Sequence, residues 1–159
     1  MENQMIFAWA IIFCLAVAPV HGQYYSRTVK AGSPNTTQDP PTYGTLYAMD
    51  DPLTMESELT STLIGNSQGL YLDLSRERTQ FTAIFYADFA FTTGRFNGSS
   101  FSLFSRFSAA DASSTIREMA IVGGRGAFRM ATGFALLRVT WSNTIGDAIV
   151  EFNVTLYHY

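Results

Sequence analysis

The run Phe81–Phe91, FTAIFYADFAF, constrains the fold more than any other segment of the chain. Phe81, Ala83, Phe85, Ala87, Phe89 and Phe91 share one face at period two, and Thr82, Ile84, Tyr86, Asp88 and Ala90 share the other. Successive side chains of an extended strand point to opposite faces, so this is a strand laid against an apolar core. Ala148–Tyr157 repeats the pattern, with Val150, Phe152, Val154 and Leu156 opposed to Ile149, Glu151, Asn153, Thr155 and Tyr157. Shorter strand-like runs lie near Thr45–Asp50, Gln68–Leu74, Phe101–Arg106, Ile116–Val122 and Met130–Trp141, and Thr62–Gly65 is an eighth candidate. TTGRFNGS and NTIGD read as hairpin connections, with Gly94, Gly98 and Gly146 free to take positive φ. Clean helical periodicity is absent. Strands at this spacing describe a sandwich or an up-and-down barrel, and periodicity does not choose between them. The polar second face of the Phe81 run favours a barrel whose partly polar lumen holds Tyr86 and Asp88.

The amino terminus reads differently. An apolar stretch from Met5 to Val17 is followed by Ala18, Pro19, Val20, His21 and Gly22. That stretch is too short to span a bilayer and has the length of a secretory signal. Val20 and Gly22 suit the −3 and −1 positions of signal peptidase, which predicts a leader over residues 1–22 and export to the extracellular space. Residues 23–42 end in AGSPNTTQDPPT, turn-rich and without period, and read as an extended arm. Residues 43–159 form the domain proper.

Composition then removes several chemistries. Cys14, the only cysteine, lies in the predicted leader, so the exported domain has no disulfide and must hold by packing and backbone pairing. With His21 also in the leader, His158 is the sole remaining histidine and reads as a terminal strand residue. Zinc sites of the His/Cys type and cysteine nucleophiles are excluded, and no cofactor or metal is expected. Lys30 is the only lysine and the net charge is −3, so the basic footprint of a nucleic-acid binder is missing. The glycines of Gly123-Gly124-Arg125-Gly126 lack the lysine and helix of a phosphate loop and read as a bend between strands.

Three segments carry a family resemblance: YGTLYAMDDPLT from Tyr43, TTGRFNGSSFSLFSR from Thr92, and IREMAIVGGRGAFRMATGFALLRVTW followed by GDAIVEFNVTLYHY to the end. Their order and spacing resemble the dirigent proteins of plants across Tyr43–Tyr159. The resemblance implies an eight-stranded antiparallel up-and-down β-barrel of the calycin-like or allene oxide cyclase-like kind, assembled as homodimers or homotrimers. It also implies a function without oxidative activity of its own. A separate laccase or peroxidase makes phenoxy radicals from a monolignol such as coniferyl alcohol, and the dirigent protein biases their coupling toward one enantiomer of a lignan. Alternatives are a non-catalytic carrier of phenolics, a wall scaffold that localises lignin, and a related ring-closing enzyme that eliminates water.

The same resemblance names the site. Asp51 matches the family's aspartate after the first strand, a candidate proton donor or acceptor, with Asp50 as the alternative register. Phe96, Ala127 and Thr132 stand where the resemblance implies a tyrosine, an aspartate and an arginine. Arg125, in the loop between the glycines, is a candidate replacement cation. Tyr86 and Asp88 are candidate pocket-lining residues. Sequons at Asn35, Asn97 and Asn153 predict N-glycosylation, with Asn153 the least used because it lies mid-strand.

Overall fold

The structure is a computed structural model that describes residues 18–28, 43–58, 60–76, 81–108, 116–143 and 147–158. Its strands are β1 (Ala18–Thr28), β2 (Leu46–Thr54), β3 (Leu63–Asp73), β4 (Thr82–Phe91), β5 (Ser100–Ser108), β6 (Arg117–Arg125), β7 (Thr132–Ser142) and β8 (Ala148–His158). Each pairs antiparallel with its neighbour in sequence, and β1 closes on β8 to complete an eight-stranded barrel. The expected architecture is therefore the observed one. Closure leaves no free sheet edge, which suits a domain that cannot draw on disulfides.

The strand reading needs two corrections. Thr62–Gly65 is not a separate strand, because Leu63–Asp73 runs as one element. The eighth strand is β1, which spans the boundary between the expected leader and the expected arm. It pairs with β8 from Ala18 opposite His158 to Thr28 opposite Ala148. Residues 23–28 of the expected arm thus belong to the barrel, and the rest of that arm lies outside the described residues. A mixed inner face hid this strand: Val20, Tyr24 and Ser26 turn inward among the described residues, a weak period-two signal beside the run in β4.

Alternation decides what faces inward. Ala83, Ala87, Phe89 and Phe91 of β4 are buried, and so are Phe101 and Leu103 of β5, Met119 and Ile121 of β6, and Phe152, Val154 and Leu156 of β8. The apolar face of the Phe81 run therefore fills the lumen, and Tyr86 and Asp88 lie on the outside, contrary to expectation. Asp88 accepts a hydrogen bond from Ser102 Oγ at 2.9 Å on that outer face. The physical reason is simple: phenylalanines gain from burial, whereas an aspartate is stabilised by water and costly to bury.

Close strand approach uses glycine where a side chain would not fit. A Cβ on Gly69 of β3 would collide with the carbonyl oxygen of Tyr86 on β4. The β4–β5 and β6–β7 connections are short 3-10 turns, Gly94–Phe96 and Gly126–Phe128, with positive φ at Gly94, Gly98 and Gly126. Both turns sit at the same end of the barrel, and they deliver aromatic rings into it. Phe128 lies 4.7 Å from Phe96, 5.6 Å from Phe101 and 5.7 Å from Phe91, measured between ring centroids. His158 adds its edge at 5.7 Å from Phe128, as expected of a terminal strand residue. This end is plugged.

Candidate functional site

At the opposite end the described residues leave an opening. A cavity of about 150 Å³ enters the lumen there, walled by Met49, Phe85, Met119, Leu137, Val150 and Phe152. Three polar side chains interrupt that wall: Ser26 of β1, Tyr71 of β3 and Arg117 of β6. Register explains the arrangement. Tyr71 stands opposite Phe85 across β3–β4, Arg117 opposite Leu137 across β6–β7, and Leu137 opposite Phe152 across β7–β8. An apolar cavity of this size holds roughly one benzene ring.

Asp51 lies beneath the cavity rather than on its wall. Tyr47, Met49, Asp51 and Leu53 are the buried positions of β2, while Ala48, Asp50 and Pro52 face out. Of the two candidate aspartates, Asp51 is the one that turns inward. Asp50 is exposed and accepts from Asn66 Nδ2 at 3.3 Å, whereas Asp51 is 2% exposed. Ser26 Oγ donates to Asp51 Oδ2 at 3.4 Å. Ser67, opposite Asp51 on β3, is buried, and its Oγ has no hydrogen-bond partner among the described residues.

Tyr71, on the cavity wall, feels the charge of this buried carboxylate. Its hydroxyl is pushed up to about 12, mainly by burial, with Tyr47 and the charge of Asp51 adding to the shift. Tyr47 stacks on it at 4.4 Å between centroids and 11° between planes, which fixes the ring. At neutral pH Tyr71 is therefore a phenol that can donate a hydrogen bond into the cavity. A carboxylate, two hydroxyls and a locked phenol at the base of an apolar cavity can pass a proton to or from a bound aromatic molecule. Among the described residues, no three His, Cys, Asp or Glu side chains lie close enough together to hold a metal ion.

The other expected site residues lie elsewhere. Phe96 and Ala127 belong to the turns at the plugged end, and Thr132 starts β7 beside them. Phe96 packs on Phe91 and Phe128 under the guanidinium of Arg95, 4.5 Å from the ring centroid. The Ala127 backbone N–H donates to Ser99 Oγ at 3.0 Å. Arg125 is exposed, and its Nε donates to Ser100 Oγ at 2.8 Å. None of the four lines the open cavity. Asn97 is exposed in the β4–β5 turn, Asn153 is exposed on the outer face of β8, and Asn35 lies outside the described residues.

Ser26, Tyr71 and Arg117 were not singled out by sequence. Tyr71 carried a usable signal, since it alternates with Gly69 and Ser67 on the strand that pairs with β2. Arg117 is in phase with Met119 and Ile121 in REMAI and is inward for that reason.

The profile of the dirigent-like proteins matches residues 19–157. This chain belongs to the dirigent-like family. The match begins inside β1, so the family domain includes the strand that closes the barrel. Dirigent protein 15 of Arabidopsis thaliana is 44% identical over 134 residues, 84% of this chain and 70% of that protein. Pterocarpan synthase 1 of Glycine max is 47% identical over 118 residues, 74% of this chain and 61% of that protein. The chain therefore spans about three fifths of that synthase's own length. Among solved structures, the pterocarpan synthase dirigent protein GePTS1 superposes with a TM-score of 0.77 at 37% identity, covering 90% of this chain and 86% of that one. Pyocyanin demethylase, 12% identical with a TM-score of 0.61, shares the fold alone.

Proposed function

We propose that this dirigent-like protein binds a plant phenolic in its open cavity and closes a ring on it through a quinone methide. The observation that carries this reading is the pairing of an apolar, single-ring cavity with a buried Asp51 that is hydrogen-bonded to the lining Ser26 and lies within electrostatic reach of the lining Tyr71. In a phenolic benzylic alcohol with a second hydroxyl nearby, the leaving hydroxyl takes a proton and departs as water. The para phenol loses its proton and becomes the quinone oxygen. The second hydroxyl oxygen then adds to the methide carbon, and its proton returns to the quinone oxygen. One water is lost and nothing is oxidised. Asp51 acts as the acid or base, and Tyr71 carries the proton to the cavity. The pterocarpan synthases, related at 44% and 47% identity, support a ring-closing role by their names.

Stereocontrol of radical coupling, which the family resemblance implies, needs two phenoxy rings held at once beside radicals from an external oxidase. A cavity of about 150 Å³ favours one ring over two. The plugged end also offers Phe96, Ala127 and Thr132 in place of groups that pair with a phenolate. Export to the apoplast belongs to the proposal, because isolated phenolics and oxidases meet there.

The test is direct. The protein is incubated with an isoflavanol carrying a free phenol para to the carbinol, and separately with coniferyl alcohol plus a laccase, and the products are resolved on a chiral column. Enantioselective ring closure of the isoflavanol is expected, with Asp51→Asn slower by about 10²–10⁴-fold. An optically active lignan together with an untouched isoflavanol would overturn the reading in favour of radical coupling.

A further inference from the structure

Ser67 on β3 is fully buried, and its Oγ meets no donor or acceptor among the described residues. A hydroxyl left unsatisfied in a protein interior costs free energy that a same-sized apolar group would not, so its presence needs a reason. Strand register supplies one. Ser67 stands directly opposite Asp51 of β2, and both turn into the barrel. Directly opposed residues on one face have Cβ atoms about 4.5–5.5 Å apart, so a rotation about χ1 carries the Ser67 hydroxyl toward the carboxyl. Asp51 is already partnered: Ser26 Oγ donates to Oδ2 at 3.4 Å, long for a hydroxyl donor. An ionised carboxyl has about four acceptor sites, which leaves room for a further donor.

We infer that Ser67 is a positioning residue held in reserve for Asp51: its hydroxyl donates to the carboxylate that forms when Asp51 has given up its proton, and is idle in the resting protein. The inference rests on the ring-closing reading above and adds a residue to it. The proton of Asp51 goes to the benzylic hydroxyl, which departs as water, and the proton that the phenol gives up restores the carboxyl. Between those two events a negative charge sits inside an apolar barrel. Only interactions stronger in the transition state than in the ground state accelerate a reaction. A donor without a bond at rest and engaged by the developing charge therefore contributes wholly to turnover. Ser26, bonded to Asp51 from the start, does so only in part. The titratable and charged groups around Asp51 are Tyr47 on its own strand, Tyr71 on β3 and, on the cavity wall, Arg117 of β6; β1 presents the neutral Ser26. All of them are retained when Ser67 alone is changed.

The experiment removes the hydroxyl from the full chain and reads three quantities. Ser67→Ala should leave the urea midpoint unchanged or raised, because no hydrogen bond is lost, while kcat for the isoflavanol falls by about 10²-fold at constant KM. Ser67→Thr, which keeps a hydroxyl, should retain most of that turnover. The third reading is independent of turnover: NMR of protein isotope-labelled at the aspartate carboxyls, with Asp51 identified by the signal missing from Asp51→Asn. Loss of a donor to the charged form moves a carboxyl's titration to higher pH, so Asp51 should lose its proton at higher pH in Ser67→Ala than in the parent. Should Ser67→Ala fail to fold, Ser67→Cys, close in size and a far weaker donor, takes its place. An unchanged kcat, a lowered urea midpoint, or an Asp51 titration at the same pH in parent and variant overturns the assignment. A protein that closes no ring yet shows the displaced titration would overturn the ring-closing reading and leave this one standing.

Discussion

Phe128→Ala tests whether the two ends of the barrel do different jobs. Phe128 is fully buried and is delivered by the Gly126–Phe128 turn into contact with Phe91, Phe96, Phe101 and His158. Truncating a buried phenylalanine to alanine costs about 3–5 kcal/mol, part in transfer and part in the cavity left behind. Each aromatic pair lost adds about 0.5–1.5 kcal/mol beyond area. Relaxation works the other way, because the half-buried Phe96 can shift into the space. We therefore expect a loss of about 3–4 kcal/mol, at the lower end of the range. For a domain of this size that lowers Tm by roughly 10–15 °C. Urea unfolding followed by circular dichroism gives the free energy, and a 4-nitrophenolate titration gives the state of the open end. Binding should be unchanged within about twofold, since the cavity wall contains none of the residues around Phe128. A loss below about 1.5 kcal/mol would mean the plug is not packed as described. Unchanged stability with altered ligand affinity would place the binding site at the plugged end and refute the assignment of the open cavity.

The remaining predictions concern single groups. Tyr71 is held protonated to about 12 against an ordinary 10, so folding stability is intact below pH 10 and falls as pH rises from 10 toward 12; Tyr71→Phe should flatten that decline in a pH series of urea midpoints, and an unchanged slope would rule it out. Met130 takes φ of 62° in an exposed turn, a conformation glycine adopts without strain, so Met130→Gly should raise stability by about 1 kcal/mol, and a loss would show that its side chain contributes packing. Peptide mapping of material secreted from a plant host should find sugar on Asn97 in its exposed turn and little on Asn153 in β8, with full occupancy at Asn153 contradicting the strand pairing there.

The all-β class and most strands were legible in the sequence, because period two along Phe81–Phe91 and Ala148–Tyr157 is local information. Asp51 was singled out in the sequence through a family motif, and which of Asp50 and Asp51 turns inward depended on the facing of β2. Tertiary structure decided the rest. Whether Tyr86 and Asp88 or the phenylalanines faced the lumen depended on closure, which lets only one face of each strand fill the interior. β1 was hidden because its inner face carries Tyr24, which packs on Phe91, and Ser26, which suits burial once Asp51 is beside it. Arg125, Phe96, Ala127 and Thr132 sit together in sequence with the family motifs, yet antiparallel strands return every second turn to the same end, and that end is plugged with rings. The cavity belongs to the opposite end, built by Tyr71, Arg117 and Ser26 from three strands far apart in the chain. Such a site is invisible to local pattern, because only the register of eight closed strands brings those side chains to one depth in the lumen.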